Sequence, residues 1–332
     1  MKPLQSFTRV GIAMAVYRPD VTFFAEQLES LVAQTHQDWF CVMTFDSPAA
    51  EVVNHPRISA ALKDQRFTWL ENSRRLGHKK NFQLAIAECV RRGADAIACA
   101  DQDDIWYPHK VARSLAALDR SGPLSLVHCN MHVLVMQDGG ARLSPATAWE
   151  FDRRGVAHCR PEHLIVRNVV GGASMLMDAQ IAARHPSIPD AFPYHDWWYA
   201  AVASTYRPIS AIYEPLYRYR QHGSNVAGLI QRPGLLGALS DHRHVLDMKR
   251  HRHDWGATRQ RARALAAERP PDRRRRWLFD SFDFGAALAM TGLASLASDQ
   301  LLGRTCIVNA LGKCHALAFL DEEPAAHQAG LR

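Results

Sequence analysis

The chain has 332 residues, 47% of them hydrophobic and 22% charged, a balance that excludes a disordered or fibrous protein and gives one large domain with an appendage, or two domains. Its longest apolar candidate, residues 284–297, falls short of the roughly 18 consecutive apolar residues of a membrane span. A formal charge of +7 admits phosphorylated substrates, anionic lipid or nucleic acid as partners without choosing among them, and seven cysteines with no CxxC pair are expected to be reduced core thiols of a cytosolic protein.

In chain order, VGIAMAV at 10–16 is a continuous apolar run of strand length, and a buried first strand accounts for it better than a secretory leader does. Asp20 then opens a helix with Phe24, Leu28, Leu31 and Val32 at helical spacing. Residues 40–45 predict a second strand ending at Asp46, and residues 67–70 a third. The polar loop NSRRLGHKK leads into a helix carrying Phe82, Leu84, Ile86 and Val90. Residues 96–100 predict a fourth strand, which delivers Asp101, Asp103 and Asp104 into a turn. Strands alternating with helices argue for an α/β fold, a mostly parallel central sheet flanked by helices, with ligands at the carboxyl ends of the strands.

Further on, residues 124–135 predict another strand and 137–160 a loop-like stretch. The segment 166–177 carries Gly171-Gly172, which marks either a close approach of backbone to a ligand or neighbouring strand, or a bulge. From about Gly228 the texture changes to basic helical runs, an RPPDRRRR break at 269–276 and alanine-rich helix. The expected division is a domain over 1–229 and a helical C-terminal extension over 230–332.

The acidic turn is the chemical focus. Asp101, Asp103 and Asp104 repel one another unless a cation or several backbone donors hold them. Hard oxygen ligands in a short cluster suit Mg2+ or Mn2+, with positions left open for phosphate oxygens. The same residues also fit a plain turn in which Asp104 caps the helix through Lys110, behind Pro108. No GxGxxG follows the first strand and no GxxxxGK[ST] occurs, so holding a diphosphate falls to metal and side chains.

Seven blocks in order, VGIAMAVYRPD, FDSPA, NSRRLGHKKNF, DQDDIWYPHK, GGASML, YHDWW and YRQHGSN, span about residues 8 to 228. On these the chain resembles the family 2 glycosyltransferases of the GT-A fold, and within them bacterial rhamnosyltransferase-like and O-antigen-type enzymes. The resemblance implies inverting transfer of a sugar from a nucleoside diphosphate to a saccharide or lipid-linked acceptor in bacterial surface polysaccharide biosynthesis. It places Tyr17 beside the nucleobase and Asp46 within hydrogen-bond reach of it, although a packed aromatic and a turn residue describe them equally well. Ser47-Pro48 departs from the family pattern after that Asp.

By the same resemblance Arg75 and Asn81 face the nucleotide or ribose, while Lys79 and Lys80 are solvated charges. Asp101 sits near ribose or its own loop's amides, and Gly172 and Arg220 contact the nucleotide sugar. Asp103 ligates the divalent cation, with Asp104 as second choice, and His222 reaches the metal or the diphosphate. Such a cation offsets charge on the departing diphosphate without a proton donor. Asp196 is the expected base for the acceptor hydroxyl, alone or while also capping the helix WWYAAVASTY; His195 serves instead only if Asp196 orients it.

Two alternatives stand beside this. A nucleotidyltransferase needs a glycine-rich basic loop after the first strand, which AVYRPD is not. A sugar-nucleotide-binding protein without turnover keeps the fold and loses only the chemistry. The basic runs 249–253 and 273–276, the latter followed by Trp277, suit an anionic membrane surface, a solvated face or an oligomer contact. No recognised nucleic-acid module is present. The expected location is cytoplasmic, with peripheral contact at the inner face of the membrane.

Overall fold

The computed structural model describes residues 6–137, 140–152, 159–222 and 248–268. The chain divides into two units, 1–230 and 231–332. The described part of the second is one helix, Met248–Glu268, on which the basic run 249–253 falls. The second basic run, Trp277, the stretch 284–297, Cys306, Cys314 and the glycine turn at 223–225 lie outside the described residues. Among the described residues no helix is long and apolar enough to cross a membrane.

The first unit opens with β1 (Val10–Val16), α1 (Val21–Val32) and β2 (Trp39–Phe45), followed by the short helices α2 (Ala50–Val53) and α3 (Pro56–Ala61). Next come β3 (Phe67–Glu71), α4 (His78–Arg91), β4 (Ala96–Ala100), β5 (Ile105–Trp106) and α5 (Lys110–Ser121). The rest comprises β6 (Leu126–Gln137), β7 (Gly140–Thr147), α6 (Ala148–Asp152), α7 (Pro161–Leu164), β8 (Met175–Asp178), α8 (Ala179–Arg184), α9 (His195–Tyr206) and β9 (Ser210–Gln221).

These strands form one nine-stranded sheet in the order β3-β2-β1-β4-β8-β6-β9-β5, with β7 paired to β6. Strands β3, β2, β1 and β4 are mutually parallel. β8 then joins antiparallel to both β4 and β6, and β9 runs parallel to β6. β1, β2 and β4 are buried nearly throughout, which their unbroken apolar runs require of strands covered on both faces. The chain leaves β1 toward β2 and β3, then returns to place β4 on β1's other side. That reversal creates a crevice at the carboxyl ends of β1 and β4, where ligands gather in open α/β sheets.

Asp20 caps α1, accepting hydrogen bonds from the amides of Thr22 (2.9 Å) and Phe23 (3.1 Å). The helix buries Phe24, Leu28 and Leu31 against the sheet, about 1.5–3 kcal/mol for each such side chain. Its last residue, Val32, stays exposed. The stretch expected to be loop-like holds β7 and α6. β7 was unreadable because it contains Pro145, is exposed along most of its length and lacks an apolar face. Cys41, Cys89, Cys99, Cys129 and Cys159 are buried free thiols.

Candidate functional site

A cleft of about 1020 Å³ opens at the carboxyl ends of β1, β2 and β4. It is lined by Tyr17, Asp46, Arg75, Asn81, Asp101, Asp103, Gly172, Asp196 and His222, so the expected site residues meet there except Arg220 and the second-choice ligand Asp104. Met131, Trp149, Tyr217 and Tyr219 add an apolar, aromatic stretch of wall.

Tyr17 directly follows β1. The Arg75 guanidinium lies 4.2 Å from its ring centroid and that of Arg18 5.5 Å away. Its backbone is gripped from the acidic turn: Gln102 Oε1 accepts from the Tyr17 amide (2.9 Å) and Gln102 Nε2 donates to its carbonyl (3.2 Å). Gln102 was missed in the sequence, where its place between the acids was the only signal. Arg18, with φ of 42°, is held by its amide donating to Ser47 Oγ (3.0 Å), which gives the Ser47-Pro48 departure a local use.

Asp46 follows β2, and its carboxylate is engaged by its own surroundings. Oδ1 accepts from Asn72 Nδ2 (2.6 Å) and the Leu76 amide (3.0 Å), and Oδ2 from the Gly77 amide (2.7 Å). Gly77 has φ of 82°, a left-handed conformation that glycine adopts without a Cβ penalty. Asn81 is 2% exposed; its amide donates to the Thr44 carbonyl (2.8 Å) and accepts from Asn72 (2.8 Å). Asp46 and Asn81 therefore shape the 72–77 loop that carries Arg75, and Asn72, unremarked in the sequence, ties them together. Lys79 is not simply solvated, since it pairs with Asp190 at 3.2 Å. Lys80 is exposed.

The three acids separate by environment. Asp101 is partly buried in the cleft wall, and desolvation, then Asp103 and Asp196, push its pKa up to about 7. Asp103 Oδ2 lies 2.9 Å from His222 Nε2, both side chains being 18% exposed. Asp104 turns away from the cleft into the core at 0% exposure, where its Oδ1 accepts from the Arg220 amide (3.1 Å). Burial raises its pKa well above the carboxylate range. It neither faces a cation in the cleft nor caps α5, whose cap position is His109. Buried Lys110 lies near it, with its ammonium 3.8 Å from the Trp106 ring centroid.

The folded-state pKa of Asp101 lies above its ordinary 3.8, so the folded protein keeps a proton that the unfolded chain releases, and stability falls as pH rises from about 4 to 7. Asp101→Asn removes that penalty. In chelator-containing buffer the variant's unfolding midpoint should exceed the parent's by a margin that widens from pH 4 to pH 8, about 2–4 °C for each kcal/mol recovered. A margin constant with pH would contradict the assignment.

Arg220 corrects an expectation. It is 2% exposed and set behind the cleft wall, with Nε donating to the Asp103 carbonyl (2.8 Å) and Nη2 paired with Glu26. Its guanidinium serves the acidic turn from within.

Asp196 is the second residue of α9, whose cap position is Tyr194. It does not cap that helix as expected; its Oδ1 accepts the adjacent Trp197 amide at 2.6 Å. Its neighbour His195 is 2% exposed and stacked on Phe82, with ring centroids 3.8 Å apart. Among the described residues neither ring nitrogen of His195 has a hydrogen-bond partner, so Asp196 does not orient it as a base. Burial holds its pKa well below the usual histidine range.

Gly172 lines the cleft, but the contact that demands glycine is with His195. A Cβ at 172 would sit 2.8 Å from His195 Nε2 and 3.7 Å from the Asp196 Cβ. Gly172→Ala should therefore displace the start of α9 and Asp196 with it, costing about 1–3 kcal/mol of stability. Thermal melts check this; an unchanged midpoint would refute it.

A divalent cation fits these residues as a partial set. Among the described residues no group of three His, Cys, Asp or Glu side chains is placed to hold a metal. Asp103 and His222 are adjacent O and N donors facing the cleft, and Asp101 beside them is a carboxyl whose ionisation a cation would favour. Two protein ligands with phosphate and water oxygens completing the shell suit Mg2+ or Mn2+.

Residues 12–175 match the family model described as Glycosyl transferase family 2. An uncharacterized glycosyltransferase of Methanocaldococcus jannaschii is 23% identical over 214 residues, 64% of this chain and 70% of that protein. Among solved structures, S. aureus TarS residues 1–349 aligns with a TM-score of 0.51 at 9% identity, covering 96% of this chain and 93% of that one. Its complex with UDP gives 0.51 at 10% identity, covering 97% and 94%. This likeness shows the fold, the expected GT-A-type arrangement of a sheet flanked by helices.

Proposed function

Since the chain belongs to glycosyltransferase family 2, we propose that it moves a sugar from a nucleoside diphosphate to a hydroxyl of a saccharide or lipid-linked acceptor, with inversion, in bacterial surface polysaccharide assembly. The observation that carries this reading is that the acidic turn and Asp196, delivered by β4 and α9, line one cleft, with Asp196 close enough to help raise the Asp101 pKa. A like-folded protein solved with UDP supports a nucleoside diphosphate as the carrier. Family membership sets the nucleotidyltransferase alternative aside.

In this reading Tyr17 and Arg75 receive the nucleobase and ribose, on a loop that Asp46 and Asn81 hold in shape. Asp101 lies behind the ribose. Asp103 and His222 hold a Mg2+ or Mn2+ ion, which when bound offsets the charge developing on the leaving diphosphate. Asp196 accepts the proton of the acceptor hydroxyl as it attacks from the face opposite the diphosphate, the geometry inversion requires. Trp149 and Tyr219 offer aromatic surface to the apolar faces of a saccharide.

We assign this chemistry to residues 1–229. The extension 230–332 is proposed to contact acceptor, membrane surface or a second subunit, at a cytoplasmic location peripheral to the membrane. The test is release of free nucleotide from a panel of UDP-, dTDP- and GDP-sugars with Mn2+ and saccharide acceptors. Turnover above an Asp196→Asn control is expected for at least one donor. Tight binding without turnover of any donor would instead support a sugar-nucleotide-binding protein.

A further inference from the structure

Resting on the cation-diphosphate reading above, we infer that Arg220 is a positioning residue that locks the acidic turn and the end of β9 onto α1, and so sets where Asp103 and His222 stand. One guanidinium joins three elements. Its Nε donates to the Asp103 carbonyl at 2.8 Å, and its Nη2 pairs with Glu26 of α1. Its own backbone amide donates to Asp104 Oδ1 at 3.1 Å.

The guanidinium also lies 4.1 Å from the centroid of Phe23, and the Phe23 ring packs 5.6 Å from the ring of His222. α1 thereby touches Arg220 through Phe23 and Glu26, and His222 through Phe23. On the other side His222 meets Asp103 at 2.9 Å. The circuit from α1 through Arg220 to the acidic turn, on to His222 and back to Phe23 is closed.

The chemistry requires arginine. The side chain is 3% exposed, so its charge needs a counterion, which Glu26 supplies. It must also donate in two directions at once while stacking on an aromatic face. A planar fork does this; a lysine ammonium reaches one partner at a time and stacks poorly. Groups that hold metal ligands in place without touching the metal commonly govern metal affinity. The nucleoside side of the cleft, built on Tyr17 and the 72–77 loop, meets this circuit where Gln102 of the acidic turn holds the Tyr17 backbone, while Asp46 and Asn72 shape the loop that carries Arg75.

The probe is Mn2+ with UDP or GDP, read by the electron paramagnetic resonance of bound Mn2+, alongside calorimetric binding of the nucleotide in chelator. Arg220→Met is expected to weaken Mn2+ binding about 10- to 100-fold, and Arg220→Lys to recover only part of it. Glu26→Gln, at a half-buried position that folding tolerates, should shift Mn2+ binding in the same direction by a smaller factor. Metal-free nucleotide affinity should change by a smaller factor than Mn2+ affinity in all three, since Asp46 and Asn72, not Arg220, hold the 72–77 loop that carries Arg75.

Parent-like Mn2+ binding in Arg220→Met and Glu26→Gln, or loss of metal-free nucleotide binding in step with it, would overturn the assignment. If Arg220→Met does not fold, Glu26→Gln decides. A parent protein that binds nucleotide but no Mn2+ would overturn the cation reading itself, an outcome distinct from parent binding that the variants leave unchanged.

Discussion

Asp103→Ala should abolish Mn2+-dependent release of nucleotide from the donor, lowering turnover by about 100- to 1000-fold, the scale on which one electrostatic contact to a developing anion acts. The side chain is the acidic-turn carboxylate that both lines the cleft and meets His222. Asp104 cannot replace it, because its carboxyl is buried behind the turn against the Arg220 amide. At 18% side-chain exposure, Asp103 can be truncated without opening a core cavity, so far-ultraviolet dichroism and melting should stay close to the parent's. Residual turnover should no longer respond to added Mn2+. A variant that keeps parental turnover and its metal response would remove Asp103 from the site.

The second large effect is at Asp196, where asparagine keeps the shape and polarity of the side chain but cannot take a proton at pH 7. Transfer should fall about 100- to 10,000-fold, the usual contribution of a positioned general base. Donor affinity should remain within about threefold, since the nucleotide is assigned to Tyr17 and the 72–77 loop and not to the Asp196 carboxylate. Loss of its charge also relieves Asp101, whose pKa it helps to raise; the metal-free variant should be no less stable than the parent. Equal loss of donor binding and of transfer would recast Asp196 as a structural residue of the α9 start.

The half of the sheet that places the site was legible because its strands are unbroken apolar runs. VGIAMAV and the run ending at Phe45 lie within β1 and β2, and the run at 96–100 coincides with β4. The polar residue that follows each of these strands falls in the cleft, because parallel strands bring their carboxyl ends to one edge. β7 escaped notice because exposed positions carry no alternation to read. The two-residue β5 is a strand only through its pairing with β9, a tertiary fact.

Within the site, residue type announced which groups are chemically capable but not which way they face. Asp103 and Asp104 are adjacent in sequence, yet one meets the cleft and the other the core, since the chain turns at residues 102 and 103 before entering β5. Arg220 is a nucleotide-sugar contact in the resemblance; only the fold shows Glu26 and the Asp103 carbonyl already holding it. Gly172 carried a correct signal with two meanings. Close approach is required there, and the neighbour is the His195 ring.

The most direct test of the account is calorimetric titration of Asp196→Asn with UDP, dTDP and GDP, with Mn2+ and with chelator. These nucleotides carry no sugar to transfer, so binding alone is read. One of the three nucleotides should bind at least about tenfold more tightly with Mn2+, as expected if Asp103 holds a cation that offsets diphosphate charge. Binding of none of them, or binding equally tight in chelator, would contradict a cation-held diphosphate in this cleft.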